Sequence, residues 1–150
     1  VLIGQVNILP LLFETVFMPA AVREELERPL TPPLVGAWVA SNPPWLALQP
    51  VPVDDDGVLR TLDDGERAAI ILAGSLGADI ILMDDRAGVV AARARGFAVT
   101  GTLGLLDRAA RRGLIDLATA FTALRATNFR TTAAMLRELL SRYEVDSRSA

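Results

Sequence analysis

Residues 62–88 read LDDGERAAIILAGSLGADIILMDDRAG, and the rest of the chain is understood from them. The stretch opens on an acidic turn, Asp63-Asp64-Gly65-Glu66, and continues with apolar residues at helical spacing to Gly77. It then becomes the short apolar run Ile80-Ile81-Leu82-Met83 and ends on Asp84-Asp85. A helix feeding a continuously apolar strand is half of a β/α repeat, because strands covered by helices on both faces carry no polar alternation. Carboxylates therefore stand at two element boundaries. In a wound sheet, ligands bind at the mouth formed by the strands' carboxyl ends, so these acids either cap helices or hold a metal ion.

Downstream, a helix over 86–95 stops at Gly96, a short strand follows over 97–99, and Thr100-Gly101-Thr102-Leu103-Gly104 leads into a helix that runs through Arg112 to Gly113. Two more helices are expected over 116–126 and 131–143, with the residues from 145 onward frayed. Upstream, Ile8, Leu11 and Leu12 mark a short helix limited by Pro10, and 16–18 reads as a brief buried strand. Pro19 suits the first position of a helix over 20–28 that Pro29 ends. A short helix over 34–39, a strand over 45–48 and a solvated turn at Asp54-Asp55-Asp56-Gly57 complete the chain. Helices alternating with short strands predict an α/β fold with a mostly parallel sheet, and 150 residues suit one domain over 1–150 with a helical C-terminal part over 116–143.

Composition narrows the chemistry. Hydrophobic residues make up 51% of the chain and aromatic ones only 5%, which suits an aliphatic core. The chain has no cysteine, so disulfides and thiolate zinc sites are excluded, and no histidine, which removes His triads, His zinc sites and His general bases. All fifteen basic residues are arginine, so neither a phosphate-loop lysine nor a Schiff-base lysine is available. Catalysis would have to run on Asp, Glu, Ser, Thr, Tyr and Arg, helped by an oxygen-binding metal. No apolar run approaches the roughly 20 residues that cross a bilayer, and no signal-peptide pattern is present, so a cytoplasmic protein without membrane association is expected. The net charge of −3 hides an asymmetry, since residues 1–92 carry −8 and residues 93–150 carry +5.

Each acidic group has a local and a chemical reading. Asp63-x-x-Glu66 has the spacing of a capping box. Asp84-Asp85 can cap the helix that follows, but adjacent like charges also call for a cation or for Arg86 to compensate them. Glu24-Glu25 lies on a helix with Arg28 placed to pair with Glu24, and matters chemically only as a further ligand for the same metal. Thr100-Gly101-Thr102 offers either a helix cap or backbone donors for a phosphate. Arg93, Arg95, Arg108, Arg111 and Arg112 form the densest basic stretch, either a solvated face or a contact for a nucleic-acid backbone.

These motifs taken together resemble the PIN-domain proteins, in particular an uncharacterised branch similar to the VapC-type ribonuclease toxins. The residues that carry the resemblance are Ile3-Gly4-Gln5, Pro19-Ala20-Ala21-Val22-Arg23-Glu24-Glu25-Leu26, Leu62-Asp63-Asp64-Gly65-Glu66, Leu82-Met83-Asp84-Asp85-Arg86 and Val99-Thr100-Gly101-Thr102-Leu103-Gly104. The resemblance implies a three-layer α/β/α domain that binds Mg2+ or Mn2+ and hydrolyses RNA, with Glu25, Glu66 and Asp85 catalytic and Asp84 joining them as metal ligands. It further implies Thr100 or Thr102 as the hydroxyl near the phosphate, a cognate antitoxin as partner and a homodimer, and Arg86 beside the acids with Arg111 and Arg112 of the basic stretch are expected at the phosphate or RNA. The family's first strand, with its leading aspartate, would precede Val1 and is expected to be missing from this chain. An incomplete site would leave a non-catalytic PIN-fold module that binds RNA or protein.

Overall fold

The computed structural model describes residues 1–53 and 57–148, and of Val58, Ser147 and Arg148 only the backbone. The turn expected at Asp54-Asp55-Asp56 lies outside the described residues. Two compact units emerge, one of Phe13–Thr102 and the other of Val1–Leu12 with Leu103–Ala150.

The first unit holds the four strands found among the described residues. β1 (Val16–Pro19) pairs in parallel with β2 (Leu46–Gln49), Val16 opposite Leu46. Between them run α2 (Ala20–Leu26) and α3 (Pro33–Ala40). β3 (Ile81–Leu82) pairs in parallel with β4 (Val99–Thr100), Ile81 opposite Val99, across α5 (Arg86–Ala94). Mixed helices and parallel strands make this an α/β fold, as the alternation of patterns predicted.

Several boundaries differ from expectation, each for a physical reason. Pro19 closes β1 and precedes α2 instead of starting it, since its φ of −61° and ψ of 144° keep it extended. α2 stops at Leu26, short of Arg28, which removes the helical register that a Glu24–Arg28 pair requires. The ion pair of this helix is Arg23–Glu27 at 2.8 Å, and Arg23 also donates to Asn42 at 2.6 Å. β4 begins at Val99, not at Phe97, because the Phe97 N–H donates to Ala92 O at 3.2 Å and closes the end of α5.

α4 (Asp64–Leu76) is the centre of this unit. It ends at Gly77, whose φ of 62° is left-handed, and the Ala78 N–H returns to Ala73 O at 2.9 Å, so the terminal carbonyls are satisfied. Its Ile70 and Ala73 pack with Leu59, Leu62, Ile81 and Ala92 in one apolar core. The helix touches α2, α5, β1 and β3, and this places the acids at its start beside the carboxyl end of β3.

The second unit is helical. A 3-10 turn (Val6–Ile8) leads into α1 (Leu9–Leu12), and the later chain supplies α6 (Thr102–Arg111), whose first residue still belongs to the first unit, α7 (Leu117–Arg125) and α8 (Ala133–Arg148). Ile8, Leu106, Ala109, Leu117, Phe121 and Leu124 are buried within it. Asp116 caps α7 by accepting from the Thr119 N–H at 2.7 Å. α8 continues to Arg148, which corrects the expectation of a frayed end from residue 145. Two ties hold it. The Tyr143 hydroxyl donates to Ala110 O at 3.3 Å, and Arg111 pairs with Asp146 at 2.8 Å.

Candidate active site

The start of α4 is a reciprocal capping box. Asp63 Oδ1 accepts the Glu66 N–H at 3.0 Å, and the Glu66 carboxylate accepts the Asp63 N–H in return. Glycine lets two neighbours approach this turn. A Cβ on Gly65 would stand 3.0 Å from Glu25 Oε2, 3.5 Å from Val22 and 3.8 Å from Asp63 Oδ1, so the bare position 65 lets Glu25 sit tightly against the first turn of α4. Gly88 plays the same part in α5. A Cβ there would collide with Met83 Sδ and lie 3.3 Å from Glu66 Cγ and Cδ.

At the end of β3, consecutive aspartates cap two different helices. Asp85 Oδ1 accepts the N–H groups of Ala87 at 2.7 Å and Gly88 at 3.3 Å, the first turn of α5. Asp84 turns the other way, where its Oδ1 accepts the Thr102 N–H at 2.8 Å and its Oδ2 accepts the Thr102 hydroxyl at 2.5 Å. The adjacent charges are thus compensated by helix N-termini. Arg86, the alternative partner, is exposed and forms none of the ion pairs found among the described residues.

Glu66 reaches from its helix start to Asp85 and shares a hydrogen bond with it. Partial burial, then the charges of Asp63 and Asp85, push the Glu66 carboxyl up to about 7, while the backbone donors of Ala87 and Gly88 hold Asp85 below the usual range. The Glu66 carboxyl thus ionises near neutrality, hydrogen-bonded to an Asp85 carboxyl that is held lower.

The sequence matches the profile of the family DUF3368, described as PIN domain, over residues 1–145. The chain belongs to the PIN-domain family. Comparison with curated proteins and with solved structures found no match. The PIN domain is a nuclease-type fold, and PIN domains generally use divalent metals.

The donor set of this PIN domain fits such an ion in a limited way. Glu66 and Asp85 present hydrogen-bonded carboxyl groups, an arrangement that a hard divalent cation can take over, and magnesium often binds through one or two carboxylates while keeping several waters. Among the described residues no group of three or more acids is placed to hold a metal ion. Glu25 stands at Gly65, and Asp84 has both oxygens engaged by Thr102.

The remaining candidates are placed as follows. Thr100 Oγ1 makes only a 3.5 Å contact with Gly101 O, and Thr102 is held by Asp84. Arg111 and Arg112 belong to the other unit of the PIN domain. There Arg111 is paired with Asp107 and Asp146, both at 2.8 Å, and lies over the Tyr143 ring, while Arg112 donates to Leu11 O at 3.0 Å. Sequence reasoning missed the glycines that shape the site, Gly65, Gly88 and Gly101. A signal was available at Gly88, since a glycine inside a helix costs stability and needs a steric reason.

Proposed function

We propose that this PIN domain is a metal-dependent endoribonuclease that hydrolyses RNA phosphodiester bonds, with Glu66 and Asp85 as its central acids and Glu25 as a third. The observation that carries the reading is the Glu66–Asp85 pair, two carboxyl groups held within hydrogen-bond reach of each other at the carboxyl edge of β3. Asp85 is oriented by two backbone donors and Glu66 by the Asp63 N–H, so neither carboxylate has to be ordered when a ligand arrives. Glu66, ionising near neutrality, gives up its proton at little cost under ordinary conditions. A divalent cation bound to the pair would offset the phosphodiester charge and activate a water for attack. Arg86, exposed beside Asp85, is the nearest side chain in sequence that could meet the phosphate. The three-layer arrangement, the toxin role, a cognate antitoxin and a homodimer belong to the same proposal and rest on the resemblance of the motifs.

The test is cleavage of RNA by the purified chain with Mn2+ or Mg2+. Glu66→Gln and Asp85→Asn should each abolish most of the activity, and full activity in both would remove these acids from the site. A second reading, a non-catalytic RNA-binding or protein-interaction module, is favoured by the lack of a three-acid group among the described residues. Metal-independent RNA binding without cleavage would support it.

A further inference from the structure

Asp84 and Asp85 have the same chemistry and adjacent positions, yet the fold uses them differently. The start of α6 lacks a side chain of its own to cap it, because the residue before Thr102 is Gly101. Asp84, eighteen positions earlier in the chain, supplies the cap with both oxygens, one on the Thr102 N–H and one on the Thr102 hydroxyl. Gly101 leaves room for this, since a Cβ there would collide with Asp84 Oδ1 and push the carboxylate out of its present seat. One residue earlier, the Met83 N–H donates to Thr100 O at 3.0 Å, so the corner after β4 is tied to the end of β3 by three hydrogen bonds in succession. Successive side chains of an extended segment point to opposite sides. Seating Asp84 in the corner therefore turns Asp85 toward α5 and Glu66.

From this geometry we infer that Asp84 is a positioning residue and not a metal ligand: with Thr102 and Gly101 it forms a latch that holds Asp85 where it meets Glu66. Each Asp84 oxygen receives a donor from Thr102, so a cation would have to share both oxygens with the corner, whereas orienting the neighbouring residue needs only these two bonds. Groups that orient a metal-binding carboxylate without touching the metal typically change affinity or rate by about 10- to 100-fold when removed. The inference rests on the nuclease reading for its effect on catalysis, but the latch itself does not.

The experiment compares the full chain with Thr102→Val, Thr102→Ser, Gly101→Ala, Asp84→Asn and Asp84→Ala. Affinity for Mn2+ is read from the electron paramagnetic resonance signal of the free ion, and kcat and KM from RNA cleavage. Thr102→Val and Gly101→Ala, neither of which alters a carboxylate, should weaken Mn2+ binding and lower kcat by about tenfold with a smaller change in KM. Thr102→Ser keeps both donors and should restore the loss seen with valine. Asp84→Asn, which keeps an acceptor for the Thr102 N–H, should lose less than Asp84→Ala. Full Mn2+ affinity in Thr102→Val and Gly101→Ala, with equal collapse in both Asp84 variants, would make Asp84 a ligand and overturn the inference. If the unaltered chain neither binds Mn2+ nor cuts RNA, the nuclease reading fails, and amide hydrogen exchange at Ala87 and Gly88 decides the latch by itself. Faster exchange in Thr102→Val and Gly101→Ala supports it, and unchanged exchange overturns it.

Discussion

Glu66→Gln should make the metal-free protein more stable at pH 8 and leave it nearly unchanged at pH 5. The folded chain raises the Glu66 carboxyl from its ordinary 4.5 to about 7, because the side chain is half-buried and faces Asp63 and Asp85. Between those values the folded state binds more protons than the unfolded state, so stability falls as pH rises through the window. At about 1.4 kcal/mol per pKa unit the whole shift would correspond to roughly 3 kcal/mol. Water reaches this pair, and screening reduces the expected effect to on the order of 1–2 kcal/mol. Glutamine carries no charge and abolishes the loss, whereas the depressed Asp85 carboxyl acts in a separate, more acidic window, where its stabilisation disappears as pH falls through its folded pKa. Urea denaturation in a chelator at pH 5, 6, 7 and 8 measures both proteins. The wild type should lose stability across this range relative to Glu66→Gln, and Mn2+ should recover the loss at pH 8 in the wild type alone. Parallel stability curves for the two proteins would refute the Glu66–Asp85 geometry.

Two other perturbations test different parts of the molecule. Leu59 is 1% exposed and lies beneath an open surface hollow with Ile70, Phe97 and Arg95, so Leu59→Ala removes a fully buried side chain from the core. Urea denaturation should show a loss of about 2–4 kcal/mol, and a change below 1 kcal/mol would mean that the surrounding side chains collapse into the gap. Arg111 is held by Asp107 and Asp146, so Arg111→Ala should lower the melting temperature through the loss of both pairs. The same variant should change the salt slope of RNA binding by less than the roughly 0.7 expected for a phosphate contact on a single strand, and a full change would return Arg111 to the RNA surface.

Local signals in the sequence were legible where the physics was local. Asp63 and Asp116 cap helices three residues ahead of them, Gly77, Gly96 and Gly113 take left-handed φ values at helix ends, and each of these could be read within a few positions. The apolar run before Asp84 likewise marked a strand, although only Ile81 and Leu82 are assigned to it, because a strand's length depends on its partner. Glu66 was ambiguous between a cap and a catalyst, and the fold shows why: it completes the capping box and also meets Asp85 from a second helix. Asp84 and Asp85 could not be told apart by composition or spacing. The tertiary structure separates them by bringing Thr102 to Asp84, which leaves Asp85 as the local cap of α5. The sequence by itself determined which residue types could do chemistry and where helices start and stop, since those depend on side-chain pKa and on hydrogen bonds spanning a few residues. Only the folded chain decided which acids meet each other and which hold a corner, because hydrogen-bond partners eighteen residues apart are chosen by packing.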